Sequence, residues 1–404
     1  MSQATLISPF QARPSDRAPV EIVSTERRSA VATAKQNRTR TPFWDNARFA
    51  AMFLVIVGHA TLKLISASDT AYGLYLFVYV FQVPAFVLIS GYFAKATPPG
   101  VPQLKRLFTD LIVPYIIFET IWSGIHWALS GKLKLDYSTA WWTLWFLLAL
   151  VIWRVVLPYL VVLRYPFVIS VLLSVGAGYL SSFDDTFSLS RAVALLPFFV
   201  LGWKLKQWNI AEWWLEQRSA IVWRWRAAAI GLFVVLGFAV AVGIDEWRHL
   251  LLRRFFLYDE SYASFGYDQW WAGAIRLGFI GLGALCCFAF LILMPRGKTW
   301  FSGMGTRTMY IYLLHALILY PIRQSGILDH TTSIWLLIGT VVFSLGLAAL
   351  LGLPIFQKVF HPLVEPKLGW LFRSSPDREV AEKEPEPSGT PARANSAMLL
   401  EWHQ

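Results

Sequence analysis

From residue 42 onward the chain alternates long apolar runs with short, mostly basic connections. Ten runs stand out, at about 46–66, 71–93, 107–129, 141–163, 166–181, 191–208, 227–244, 270–294, 308–326 and 333–354. Most approach the ~20 residues needed to span a bilayer as a helix. The fifth is short, and the fourth and fifth meet in a tight connection at Arg164. The pattern predicts an all-α, polytopic membrane protein with about ten transmembrane helices. It forms one domain, residues 42–373, between polar tails at 1–41 and 374–404 whose composition predicts disorder. The first 40 residues are polar and basic, without the short apolar core of a cleavable signal peptide. No internal repeat, P-loop, GxSxG elbow or HExxH pair interrupts the pattern.

Composition agrees with this reading. Of 404 residues, 56% are hydrophobic and 15% charged, too little charge to cover a soluble protein of this size. The formal charge of +11 raises nucleic acid as a partner. The basic residues sit between apolar runs, however, which is a membrane pattern, and nucleic acid is set aside. With the N-terminus inside, the inner connections receive Lys95, Lys105, Arg106, Arg164, Lys204, Lys206, Arg218, Arg224, Arg226, Arg296, Lys298 and Arg307, while the outer ones hold fewer. Both termini are therefore expected in the cytoplasm, and the protein in the plasma membrane. Cys286 and Cys287 are adjacent inside an apolar run and predict neither a disulfide nor a metal site. Trp141, Trp142, Trp145, Trp270 and Trp271 read as interfacial belts. The outer stretch 245–269 is polar and aromatic, suited to contacting an acceptor or to simple solvation.

The candidate chemistry gathers in PFWDNARFAAMFLVIVGHA, residues 42–60. Arg48 and His59 are eleven positions apart, three helical turns plus about 20°, so they share a face about 16–17 Å apart along the axis. A polar stripe inside a membrane helix is costly, and its default reading is functional. His59 suits a general base, since neutral imidazole accepts a proton near pH 7; the alternative is a histidine bonding between packed helices. Arg48 suits an anionic group or a thioester carbonyl, or else snorkels to the interface, with Asp45 as cap or partner. Lys105 and Arg106 precede the third run on the inner side, placed for donor phosphates, for lipid headgroups or to orient the helix. His315 lies about eight residues into the ninth run, structural or part of a second site. Glu119 and His126 share a face of the third helix and could line a cavity, though a Glu–His pair is the simpler reading. Catalytic candidates are thus His59 and Arg48, and substrate-binding candidates Asp45, Lys105, Arg106, Glu119 and His315. A proton-coupled transporter or flippase for a lipid-linked or small polar substrate would also use a buried histidine, although the halves show no repeat.

Several phrases resemble the bacterial integral-membrane acyltransferase family 3, in particular its branch related to fucose 4-O-acetylases. Asp45, Arg48 and His59 match the spacing of that family's first helix, and PAFVLISGYFA (84–94) its second, with Ser90 and Gly91 in register. LKRLFTDLIVPY (104–115), WFLLAL (145–150) and MYIYLLH (309–315) are similar in order. The resemblance covers about 42–355. In many members a further basic residue stands three positions after the second of the basic pair, whereas Thr109 and Asp110 follow here. The resemblance implies an acyltransferase of groups other than aminoacyl groups. It would move an acyl group, usually acetyl, from acyl-CoA to a hydroxyl of a carbohydrate, glycolipid or related cell-envelope acceptor, with no further cofactor and no metal.

Overall fold

The computed structural model describes residues 41–180, 186–329 and 332–372. The tails expected at 1–41 and 374–404 lie, apart from Thr41, outside these. Every regular element among the described residues is a helix. In chain order they are α1 Pro42–Thr61, α2 Asp69–Tyr79, α3 Gln82–Tyr92, α4 Val101–Leu107, α5 Val113–Ser130, α6 Trp145–Leu160, α7 Pro166–Ala177, α8 Leu189–Ala194 and α9 Leu196–Gln207. They continue with α10 Ile210–Glu216, α11 Ser219–Val242, α12 Ile244–His249, α13 Arg253–Leu257, α14 Ala272–Leu293, α15 Ser302–Gly305, α16 Thr308–Gln324, α17 Ile334–Leu351 and α18 Pro354–Val364.

Each of the ten apolar runs falls on helix. Five helical stretches are long and apolar enough to cross a membrane: Asp69–Tyr92, Val101–Ser130, Ser219–Val242, Ala272–Leu293 and Ile334–Leu351. A sixth joins them if Thr186–Ala194 and Leu196–Gln207, bent by 56°, count as one. α6 and α7, with 16 and 12 residues, fall short of a full span. Short helices α10, α12, α13 and α15 fill connections that the apolar pattern leaves blank.

Three prolines account for the three main breaks. A proline cannot donate to the carbonyl four residues back, and its ring crowds that carbonyl. Pro84 stands four residues after Val80, and the chain breaks between α2 and α3 at Val80–Phe81. Pro114 stands four after Asp110, inside a π-turn at Phe108–Ile112 that joins α4 to α5. Pro197 follows the bend at Leu195 between α8 and α9. The first of these breaks leaves Val83 and Phe86 at a cavity wall.

α1 is the central helix, packed against α3, α15, α16 and α17. Pro42 near its start presets the helical φ, and Asp45 in the first turn complements the dipole. A polar hub that the sequence reading missed locks its entrance. Asn46, fully buried, donates through Nδ2 to the Pro295 and Gly297 carbonyls, both at 2.9 Å. Its Oδ1 accepts from Thr299 Oγ1 at 2.8 Å and Ser302 Oγ at 2.6 Å. One amide thus ties the first helix to the loop between α14 and α15. Asn46→Ala takes one hydrogen bond from each of these four groups, at about 0.5–1.5 kcal/mol each. The expected result is a lower unfolding temperature and poor recovery of folded protein in detergent.

Candidate active site

Two cavities flank the middle of α1. The one at the His59 end has a volume of about 320 Å³ and is lined by residues of α1, α2, α3, α13 and α16, with the stretch Trp142–Phe146 and with Arg191. The one at the Arg48 end is about 180 Å³, lined by Arg48, Ile89, Ser90, Phe93, Leu111, Leu147, Leu150, Arg154, Thr308 and Met309 among others. Phe86, Phe146 and Tyr312 line both, so three aromatic rings form the wall between them. The stripe on α1 therefore opens into two separate chambers, one for each polar end.

His59 contributes a half-buried ring to the larger chamber. Its Nδ1 is buried without a hydrogen-bond partner. The Trp142 ring meets it edge-on with centroids 5.2 Å apart, and the His315 ring stacks at 5.6 Å. His315 is fully buried, and its Nδ1 lies 2.6 Å from the Tyr312 carbonyl and 3.1 Å from that of Ile311. Carbonyl oxygens only accept, so Nδ1 carries the hydrogen and Nε2 keeps the lone pair. That Nε2 has no partner either. Two imidazoles with unused buried nitrogens thus lie side by side, an arrangement able to take up, hold and pass a proton.

The tryptophan above His59 is held in a strained backbone. Trp142 has φ of 36°, a region that non-glycine residues rarely enter and that costs about 1–3 kcal/mol. The peptides on both sides are pinned. The Trp141 N–H donates to Glu119 Oε2 at 3.1 Å, and the Tyr312 hydroxyl donates to the Thr143 carbonyl. Glu119 is fully buried on α5, and its second oxygen has no partner. The Glu–His pair expected on that helix does not form: His126 turns to Ser130 Oγ at 3.0 Å and to the Lys132 carbonyl. The Arg323 guanidinium sits 4.5 Å from the Trp142 ring centroid. Trp142 and Trp145 accordingly line the chamber, with Trp141 pinned beside them through its backbone, whereas Trp270 stays 85% exposed as a belt residue would. Glu119→Ala removes the pin on Trp141 and is expected to reduce kcat/KM by roughly tenfold, the value of one buried hydrogen bond. Steady-state kinetics on the purified variant checks it.

Within the loop that leads to Trp141, Asp136 accepts from the Ser138 N–H at 3.0 Å and hydroxyl at 2.6 Å, which pulls its carboxyl down to about 2. A depressed carboxyl contributes fully above its usual range near 4 and is lost only as pH falls through about 2. Changes in activity above pH 5 are therefore expected to be the same in Asp136→Asn, as a pH–rate profile of both proteins would show.

At the other chamber, Asp45 Oδ1 pairs with Arg48 Nη1 at 3.2 Å, and the guanidinium lies 4.2 Å from the Phe93 ring centroid. Arg154 of α6 lines the same chamber and escaped the sequence reading, hidden inside an apolar run whose only signal was one lone cation. Lys105 and Arg106 line neither chamber. They lie on α4, six and five residues before Leu111, which does line the Arg48 chamber. No group of three or more metal-ligating side chains occurs among the described residues.

Geometry and sequence now define the class: an all-helical membrane protein with a polar first helix opening on two chambers. The chain belongs to the acyltransferase 3 family, whose profile, described as an acyltransferase domain, matches residues 41–353. Comparisons with curated proteins and with solved structures gave no match.

Proposed function

We propose that the protein is an integral-membrane O-acyltransferase that takes an acyl group, acetyl in the first instance, from acyl-CoA and delivers it to a hydroxyl of a carbohydrate or cell-envelope acceptor. The fucose 4-O-acetylase-like branch belongs to the same proposal, as do ten spans, cytoplasmic N- and C-termini and a plasma-membrane location. The positive-inside count supports the orientation, which turns the Arg48 chamber to the cytoplasm and the His59 chamber outward. The observation that carries the reading is the pair of chambers, each holding one end of the α1 stripe and separated by Phe86, Phe146 and Tyr312.

In this reading Asp45 orients Arg48, and Arg48, with Lys105 and Arg106 at the mouth, holds the donor phosphates or pantetheine. The acceptor occupies the outer chamber with its hydroxyl at His59. His59 takes the hydroxyl proton as the oxygen attacks the thioester carbonyl. Collapse of the tetrahedral adduct breaks the C–S bond, and the proton held at His59 goes to the leaving thiolate. His315 and Glu119 are positioning residues, the first beside the imidazole and the second through Trp141. The reaction balances without a metal or further cofactor.

The aromatic wall keeps water and donor apart until the acceptor is seated. Phe86→Ala joins the chambers, and a severalfold rise in acceptor-independent thioester hydrolysis is expected, read by thiol release. The reading as a whole is tested by incubating the purified protein with radiolabelled acetyl-CoA and envelope glycans. Labelled glycan supports it, whereas flux of substrate across vesicles without any thioester cleavage supports a carrier instead.

A further inference from the structure

The acyl-transfer reading leaves the acceptor as any hydroxyl-bearing carbohydrate; the charge around the outer chamber narrows it. The lining includes His59, Arg191 and Arg253 and no carboxylate. Arg191 is tied to Asp259 at 2.7 Å and lies 5.2 Å from the Trp145 ring centroid. Arg253 differs. It is half-buried at the start of α13 and makes no ion pair among the described residues, and its guanidinium carbon lies 5.9 Å from the Tyr75 ring centroid. The neighbouring Arg254 takes the nearby acid, Glu260. Two further cations lie against rings that line the chamber. Arg276 is fully buried 4.8 Å from the Tyr258 ring centroid, and Arg323 backs Trp142.

A cleft lined by one sign of charge with low-dielectric walls concentrates ligands of the opposite sign. A half-buried guanidinium without a carboxylate is also costly until an anion reaches it, and its planar fork fits carboxylate and phosphate alike. The rings of Trp142, Trp145 and Tyr75 offer flat apolar faces beside this charge, the mixture typical of a small-molecule site. From this arrangement we propose that the acceptor is an anionic saccharide, bearing a carboxylate or phosphate, and that Arg253 selects for its charge. The proposal rests on the acyl-transfer reading for the word acceptor, while its test requires no acyl transfer.

The full-length protein is reconstituted in nanodiscs of zwitterionic lipid and titrated calorimetrically with an oligogalacturonide and, separately, with the same oligosaccharide fully methyl-esterified. A phosphorylated mannotriose and plain mannotriose form the second pair, so the carboxylate and phosphate sources are read apart. One charge-assisted contact predicts that at least one charged member binds roughly ten- to hundredfold more tightly than its neutral partner. Arg253→Gln is expected to remove most of that preference, and Arg253→Lys to keep part of it. His59→Ala should leave the preference intact, which separates acceptor binding from chemistry. Equal binding of charged and neutral members in both pairs, including no binding of either, overturns the proposal. So does a preference that survives Arg253→Gln unchanged. Failure of thioester cleavage with acetyl-CoA would instead overturn the acyl-transfer reading and leave these affinities standing.

Discussion

His59→Ala is expected to lower acyl transfer by roughly 10²–10⁴-fold, the usual contribution of a positioned proton-transfer group. The loss should fall on kcat, because the chamber keeps its other walls and its cations. Folding should hardly change. The His59 ring contacts Trp142 and His315 through faces and edges, and its buried Nδ1 makes no hydrogen bond that alanine would break. Removing an unsatisfied buried nitrogen is close to neutral for stability, since nothing is orphaned by its loss. The pairing of large kinetic loss with an unchanged melting temperature is the signature to look for. His315→Gln should be milder in activity, because a positioning partner and not the proton acceptor is altered, but costlier in stability. It gives up the two contacts from Nδ1 to the Ile311 and Tyr312 carbonyls. Normal turnover in a well-folded His59→Ala protein would remove the histidine from the chemistry altogether.

The second large effect is on folding. α3 and α9 cross so closely that each uses a glycine to admit the other's backbone. A Cβ on Gly91 would stand 2.0 Å from the Phe199 carbonyl oxygen, and one on Gly202 would stand 1.9 Å from that of Leu88. Both obstacles are main chain and cannot rotate aside. Without a hydrophobic drive between helices in lipid, such small-residue crossings supply much of the packing attraction. Gly202→Ala should therefore force the helices apart at a cost of about 1–3 kcal/mol or more. The damage would not stay local, because α3 carries Phe86, Ile89 and Ser90 on the chamber walls. We expect loss of monodisperse protein on size-exclusion chromatography, and the same for Gly91→Ala. Unchanged thermal stability in both variants would mean that the two helices can separate freely.

The parts of this protein that follow from local rules were legible in its sequence. Apolar runs marked the helices, and the spacing of Arg48 and His59 placed them on one face of α1. Proline chemistry explains breaks that apolarity conceals: the run 71–93 reads as one helix, yet Pro84 divides it. What sequence could not convey depended on contacts between distant elements. Asn46 looked like an ordinary polar residue near a helix start, and its partners lie about 250 positions away. Trp142 looked like a belt residue until Glu119 and Tyr312, from two other helices, were seen to hold it over His59. Glu119 was singled out for being expensive in lipid, but its expected partner, His126, faces elsewhere. Arg154 showed only as one cation in an apolar run and Arg253 as one of an adjacent pair, Arg253–Arg254, and each acquires meaning only from the cavity it lines.

In the proposed reaction, donor and acceptor occupy opposite chambers and the acyl group crosses between them at His59. A sided assay in proteoliposomes of uniform orientation tests it directly. Radiolabelled acetyl-CoA is supplied on one face and glycan acceptor on the other, and then the arrangement is reversed. Labelled glycan should form only when acetyl-CoA meets the face that carries Lys105 and Arg106; equal labelling from either face would rule out transfer between opposite chambers.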